Sequence, residues 1–183
     1  MITLLDIDAV GAPVVALIDG SGEGLEAASL KARARALGRP IGARAVSRSY
    51  APPYALVGWH SGPVGVDIER VVSCDEQFAR SICTPTERAR SAWGSDRDVV
   101  SLWSGKEALA KALGDAVRYD PRRLESPASW SGGASGPWRA ATLTVPDGYC
   151  AWVCWRPPGP SPADRPARSG ERVLRLHHEG GRD

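Results

Sequence analysis

Two carboxylates that could do chemistry lie two residues apart in a short apolar run. Asp67 and Glu69 occur within GPVGVDIERV, residues 62–71, whose other members are mostly glycine, valine and isoleucine. In a strand, this alternation directs Val66 and Ile68 to a core and both acids to the opposite face. Either that face is solvated, or a positive charge lies between the acids.

A second group of charges lies in the segment DVVSLWSGKEALAKALG, residues 98–114, which predicts the longest helix of the chain. Its charges after the first turn are Lys106, Glu107 and Lys111, and the first two of these fall within the apolar arc of the helical wheel. Charges on a largely buried helix need partners. The simpler alternative is an exposed i,i+4 pair between Glu107 and Lys111.

Together the two segments supply three carboxylates, Asp67, Glu69 and Glu107, and two lysines. Three converging carboxylates repel one another and resist ionisation unless a cation lies between them. Mg²⁺ suits such a site because it binds few protein carboxylates and completes its shell with water and phosphate oxygens. Nearby lysines complement phosphate charge. The residues therefore predict a magnesium-assisted phosphoryl-type transfer site.

The first part of the chain, to about residue 61, predicts a small α/β half. Strands are expected at 13–18 and 54–60, and a helix at 25–37. Gly38 is the expected C-cap of that helix, and Pro40 blocks its continuation.

The later part predicts helices at 74–82, 84–93 and 98–114, followed by a hairpin over 138–155 that turns at 146–148. Thr84, Pro85 and Glu87 form a strong helix start. Asp98 is the expected cap of the long helix, and Gly114 its end. Residues 126–136 are expected to be a loop, and residues 156–183 a disordered tail rich in Pro, Gly and Arg.

The composition excludes several classes of protein. The chain has 183 residues and a formal net charge of +2, with no basic run interleaved with aromatics, so we expect no nucleic-acid partner. We read no signal peptide and no apolar run of roughly 18 residues, so we expect a cytoplasmic protein without a membrane partner. The four cysteines, Cys74, Cys83, Cys150 and Cys154, are expected to be free thiols.

At this point the residues resemble a known family. VGVDIE and WSGKEALAKALG are similar to the two signature motifs of 4′-phosphopantetheinyl transferases, G-[VI]-D-[IVL]-E and W-[ST]-x-K-E-[AS]-x-x-K, in the same order. Weaker similarities occur at GRP (38–40), TPTER (84–88) and DGYCAWVCW (147–155). The resemblance covers roughly residues 25–155.

The resemblance implies an α+β fold. The α/β half before the first motif points to the surfactin-type, pseudo-dimeric branch, with two similar α/β subdomains, each a small antiparallel sheet packed on a long helix. The implied division is a shortened, coenzyme A-binding half over 1–61, a half over 62–155 that carries the magnesium and catalytic motifs, and the tail over 156–183. The pseudo-dimer implies a monomer.

The implied reaction moves the 4′-phosphopantetheine arm of coenzyme A to a serine of an apo acyl or peptidyl carrier protein and releases adenosine 3′,5′-bisphosphate. By motif position, Asp67, Glu69 and Glu107 would hold Mg²⁺ against the pyrophosphate. Glu107, or a water on the metal, would take the proton of the serine hydroxyl. Lys111 would stabilise charge on the reacting phosphate, and Lys106 would contact phosphate.

One departure concerns the grip on coenzyme A. The family has a Ser-His pair before the first motif, where this chain has Ser49 and Tyr50. Tyrosine donates a hydrogen bond but supplies no imidazolium. Arg39, in the lysine position of Gly-Lys-Pro, is the best replacement as a phosphate ligand, with Arg44 and Arg48 as further candidates.

Two other functions are compatible with the same residues. One is a degenerate relative that binds carrier proteins or coenzyme A without turnover, and the other is a Mg²⁺-dependent phosphohydrolase that uses the same acids. The carrier protein could belong to fatty-acid, polyketide or peptide synthesis.

Overall fold

Two four-stranded antiparallel sheets form the frame of the computed structural model, which describes residues 1–90 and 94–158. The first sheet has the order β1-β2-β4-β3. Its strands are β1 (Ile2–Leu5), β2 (Val14–Asp19), β3 (Ala45–Ala51) and β4 (Tyr54–His60). The second has the order β5-β8-β7-β6. Its strands are β5 (Val64–Arg70), β6 (Ala134–Ser135), β7 (Trp138–Thr142) and β8 (Tyr149–Trp155).

Four α-helices occur in the described ranges: α1 (Ala27–Ala36), α2 (Glu76–Ile82), α3 (Pro85–Arg90) and α4 (Asp96–Leu113). The two sheets pack face to face, with α1 on the outer face of the first and α4 on the outer face of the second. Strand β2 shows the alternation that produces these layers. Val15 and Leu17 enter the core between the sheets, whereas Ala16 and Ile18 pack with α1.

Small residues let α4 lie directly against β5. A methyl group placed on Gly65 would lie 2.0 Å from the carbonyl oxygen of Ala108 and 2.5 Å from the amide nitrogen of Ala112. Gly105, one turn earlier on α4, makes a similarly close approach to the segment after the helix, because a methyl group there would lie 2.9 Å from the hydroxyl oxygen of Ser126. The face of β5 that carries Asp67 is therefore covered by a helix, and the solvated-face interpretation of that residue is wrong.

The free edge of β5 contacts the first sheet. Strand β8 pairs with one edge of β5, and β3 lies beside the other. The hydroxyl of Ser47 on β3 accepts a hydrogen bond from the amide of Val66, at 3.0 Å. This contact brings the polar residues of β3 next to the acidic residues of β5.

Most predicted elements are confirmed, with differences at their ends. Strand β4 occupies the expected 54–60, and the hairpin of β7 and β8 turns where expected, with Gly148 at φ +79°. Gly114 ends α4 in the left-handed conformation, as expected. Thr84 and Glu87 exchange the hydrogen bonds of a capping box.

Several expectations were wrong. Ser95, not Asp98, caps α4, because the hydroxyl of Ser95 accepts a hydrogen bond from the amide of Asp98. Leu37, not Gly38, follows α1 in an extended conformation. Strands β1 and β3 were not predicted, and the expected loop at 126–136 contains short 3₁₀ turns and β6. Helix α1 has ten residues against eighteen in α4, so the two sheets do not carry equally long helices.

All four cysteines are free thiols, as expected, and three of them are buried: Cys83, Cys150 and Cys154. In the described ranges, no helix has both the length and the apolar character needed to span a membrane. The end of the predicted helix 84–93 and nearly all of the predicted tail lie outside the described residues.

A side chain at Gly65 should destabilise the fold. In Gly65→Ala the new methyl group meets the backbone of α4, so we expect a loss of about 1–3 kcal/mol in the free energy of unfolding. Gly38→Ala is the matched control, because a methyl group there meets no atom within 4 Å. Urea unfolding of both variants makes the comparison, and equal stability would contradict the close packing of α4 on β5.

Candidate active site

The centre of the candidate site is an ion pair between β5 and α4. The ammonium Nζ of Lys111 lies 2.6 Å from Oδ1 of Asp67. It also donates to the backbone carbonyl of Val66 at 3.3 Å and to the hydroxyl of Ser49 at 3.3 Å. Asp67 is 2% exposed. Lys111 thus pairs with Asp67, and the i,i+4 pair with Glu107 is not what fixes its side chain.

Ser49 on β3 completes the surroundings of Asp67. Its hydroxyl donates to Oδ1 of Asp67 at 2.8 Å. The second oxygen, Oδ2, is buried and has no hydrogen-bond partner in the part of the chain that the structure describes. A buried carboxylate oxygen without a partner is costly unless another group binds it. Oδ2 is therefore the atom of the site that most needs a ligand.

Glu69 lies on the same face of β5 and interacts electrostatically with Asp67 and Glu107. Burial and the charge of Asp67 raise the pKa of Glu69 to about 7, Glu107 acts in the same direction, and Lys111 opposes them. A hydrogen bond from the indole of Trp103 on α4 also lowers this pKa. These interactions show that the three acids face a common region.

Glu107 receives a hydrogen bond from a residue outside both sequence motifs. The hydroxyl of Tyr119 donates to Oε1 of Glu107 at 2.6 Å. Burial and this bond raise the pKa of Tyr119, so the phenol keeps its proton and acts as a donor. Sequence analysis missed Tyr119, because no spacing signal links a tyrosine in the segment after α4 to a carboxylate on the helix.

Lys106 does not join this cluster. Its ammonium is completely buried and donates to Oε2 of Glu87 at 2.5 Å, to the carbonyl of Ile82 at 2.6 Å and to the carbonyl of Pro121 at 2.8 Å. All three ammonium hydrogens are thereby used. The expected phosphate contact does not fit this geometry, and Lys106 instead ties α4 to the end of α2, to α3 and to the segment that follows α4.

The predicted coenzyme A residues of the first half are also separated. Ser49 reaches the acidic cluster, but Tyr50 lies on the opposite face of β3, where Lys31 sits 5.7 Å from its ring centroid. Arg39 is exposed and donates to the carbonyl of Arg44 at 3.3 Å. Arg39 and Tyr50 therefore do not contact the carboxylates.

The residues fit a hard divalent cation by chemistry. Asp67, Glu69 and Glu107 offer oxygen ligands, and the partnerless Oδ2 of Asp67 supplies one that is already buried. Within residues 1–90 and 94–158, however, no three Asp, Glu, His or Cys side chains lie close enough together to hold one ion. Joint ligation thus requires at least one of these side chains to rotate, with the Lys111 ammonium leaving room beside Asp67.

Replacement of Lys106 should affect stability. In Lys106→Met the buried carboxylate of Glu87 loses its ammonium partner, so we expect a loss of about 3–5 kcal/mol in the free energy of unfolding. Arg80→Ala, which breaks the exposed pair with Glu76, is the control and should change stability little. Chemical denaturation compares them. A Lys106→Met protein as stable as wild type would contradict the structural role.

Glu69 should make the metal-free protein less stable as pH rises. Its pKa is 4.5 when unperturbed and about 7 in the fold, so the folded state binds the proton more tightly. Its contribution is fully present below pH 4.5 and is lost as pH rises through about 7. The contribution of Glu69 is measured by comparing the melting temperatures of wild type and Glu69→Gln across this pH range in a chelating buffer. A constant difference between the two proteins would count against the raised pKa.

Comparison with known proteins agrees with the motifs. Residues 63–151 match the family model described as the 4′-phosphopantetheinyl transferase superfamily. No curated protein matches the chain. The matched range contains β5 and α4 and therefore Asp67, Glu69, Glu107 and Lys111, but none of the first sheet. This match supports assignment of the chain to the 4′-phosphopantetheinyl transferase superfamily.

Proposed function

We propose that the protein transfers the 4′-phosphopantetheine moiety of coenzyme A to a serine of an apo acyl or peptidyl carrier protein, with release of adenosine 3′,5′-bisphosphate. The observation that carries the proposal is the buried Asp67–Lys111 pair beside Glu69 and Glu107. A lysine and three carboxylates that face a common region suit a reaction at a pyrophosphate, where negative charge must be both bound and balanced.

Asp67, Glu69 and Glu107 are the proposed ligands of Mg²⁺. When bound there, the ion would supply Lewis-acid chemistry at the pyrophosphate of coenzyme A. Ser49 would keep Oδ1 of Asp67 in place through its hydroxyl, which leaves Oδ2 directed into the site. This is a positioning role rather than the direct phosphate contact expected from the family.

Lys111 is the proposed cationic residue for the reacting phosphate. Its side chain is 22% exposed, whereas Lys106 is sealed in, so a phosphate oxygen can reach the Lys111 ammonium in exchange for one of its two 3.3 Å bonds, to Ser49 or to Val66. Glu107 is the proposed acceptor for the proton of the carrier serine, because its carboxylate is half-buried in the site and a positioned glutamate can act as a general base. Attack of the serine oxygen on the β-phosphorus then breaks the bond to the bridging pyrophosphate oxygen.

The first sheet is the proposed support for the rest of coenzyme A. Arg39 remains the best candidate for a phosphate contact, because its exposed guanidinium has further donors beyond the bond to Arg44. Tyr50 and Lys31 lie on the α1 side of this sheet, away from the carboxylates. They could therefore contact only a part of the nucleotide that extends past the carboxylate cluster.

The surfactin-type organisation is part of the proposal. We propose a coenzyme A-binding half over 1–61 and a catalytic half over 62–155, joined as a pseudo-dimer in a monomer, with residues 156–183 as a tail. The packing of two four-stranded sheets, each with a helix on its outer face, supports this view. We expect the reaction in the cytoplasm.

Loss of either acid should abolish transfer. In Asp67→Asn and Glu107→Gln the shape of each side chain is kept and its charge is removed, so we expect transfer to fall by at least about 100-fold. Intact-mass analysis of apo carrier proteins after incubation with coenzyme A and Mg²⁺ detects the added phosphopantetheinyl group. Glu76→Gln, at an exposed carboxylate on α2, is the control and should transfer normally.

Three outcomes separate the possible functions. Transfer that persists in folded Asp67→Asn or Glu107→Gln would overturn the assigned site. Metal-independent binding of coenzyme A by wild type, without transfer to any carrier protein, would favour a non-catalytic binding protein. Release of free phosphopantetheine in the absence of a protein acceptor would indicate a phosphohydrolase.

A further inference from the structure

The acids of the site are approached by donors on the protein. Lys111 on α4 and Ser49 on β3 donate to Asp67. The indole of Trp103 on α4 lies near Glu69 and helps to lower the pKa of that carboxyl. Glu107 is held differently, by the hydroxyl of a tyrosine in the segment that follows α4.

The hydrogen bond from Tyr119 fixes one carboxylate oxygen of Glu107 and leaves the second oxygen without this contact. Tyr119 donates to Oε1 at 2.6 Å, and within residues 1–90 and 94–158 no hydrogen bond reaches Oε2. The tyrosine ring stacks on Trp103, with ring centroids 6.5 Å apart and planes inclined by 29°. Because Trp103 also lies near Glu69, the stacked rings extend from the neighbourhood of one carboxylate to that of the other.

The segment that carries Tyr119 is itself held in place. The amide of Tyr119 donates to the carbonyl of Asp115 at 3.1 Å, and this hydrogen bond forms a turn after α4. Two residues beyond Tyr119, the carbonyl of Pro121 accepts a hydrogen bond from the buried ammonium of Lys106. Lys106 therefore anchors the segment that supports its sequence neighbour Glu107.

Packing alone does not confine the tyrosine. Tyr119 also lines an open cleft of about 520 Å³, together with Leu113, Arg118 and Arg123. On that side the ring has room to move. The hydrogen bond to Glu107 and the stacking on Trp103 are thus the contacts that fix its position at the site.

We propose that Tyr119 is a positioning residue that orients the carboxylate of Glu107 for binding the divalent cation. The inference rests on the proposed function, since it concerns the same site. Groups that hydrogen-bond to a metal ligand from outside orient that ligand, and their loss commonly costs about 10- to 100-fold in metal affinity or activity. Tyr119 holds one oxygen of a half-buried glutamate and therefore has the geometry of such a group.

The test is Tyr119→Phe, which removes the hydroxyl and keeps the stacked ring. We expect the Mg²⁺ concentration for half-maximal transfer to rise by about 10-fold or more. We also expect Mg²⁺ to raise the melting temperature of the wild-type protein without substrates. Tyr119→Phe should require correspondingly more metal for the same rise. Tyr149→Phe is the matched control, because it removes a tyrosine hydroxyl that binds the carbonyl of Pro52 away from the site. Its response to Mg²⁺ should equal that of wild type.

The outcomes separate this inference from the proposed function. If wild type shows a Mg²⁺ response and Tyr119→Phe shows the same one, the inference is overturned and the proposed function stands. A tighter Mg²⁺ response in Tyr119→Phe would also overturn it, because Tyr119 would then compete with the metal. No Mg²⁺ response in wild type would overturn both. Should Tyr119→Phe fail to fold, Tyr119→His carries the same test. A partial loss of the Mg²⁺ response in Tyr119→His would support the inference, and a response equal to that of wild type would overturn it.

Discussion

The close contact between β5 and α4 is the constraint on which the site depends. Gly65 and Ala108 allow the strand and the helix to approach until no side chain fits between them. At that distance Lys111 reaches Asp67, and both charges leave most of their water behind. Buried ion pairs of this kind give little net stability, because desolvation offsets the attraction between the charges. The arrangement is better explained by a task that requires charge at this place.

Two lysines on one helix illustrate how burial decides their use. Lys106 is sealed against Glu87 and two carbonyls, so its charge serves the connection between α4 and its neighbours. Lys111 lies at the edge of the site and keeps part of its surface exposed. The same residue type therefore supplies a structural anchor and, in our proposal, a cation for substrate. The two lysines are five residues apart, which turns their side chains about 140° away from each other around the helix.

The sequence predicted the elements with local signals and missed those that depend on distant contacts. Strand β4 was found from its continuous apolar run, and Gly114 from its place at the end of a helix. Strand β3 was missed because its serines and arginine interrupt the alternation of apolar and polar residues that marks a strand. Its serines are nevertheless buried against β5. The partner of Lys106 could not be predicted, because Glu87 and Lys106 come together only through the packing of α3 and α4.

A structure with Mg²⁺ and coenzyme A bound would test most directly whether strand and helix share one cation. Our account predicts an ion bound to Oδ2 of Asp67 and to carboxylate oxygens of Glu69 and Glu107, beside the pyrophosphate. The ammonium of Lys111 should then face a phosphate oxygen. An ion bound away from these residues, with Lys111 still paired to Asp67 and Oδ2 still without a partner, would contradict the account.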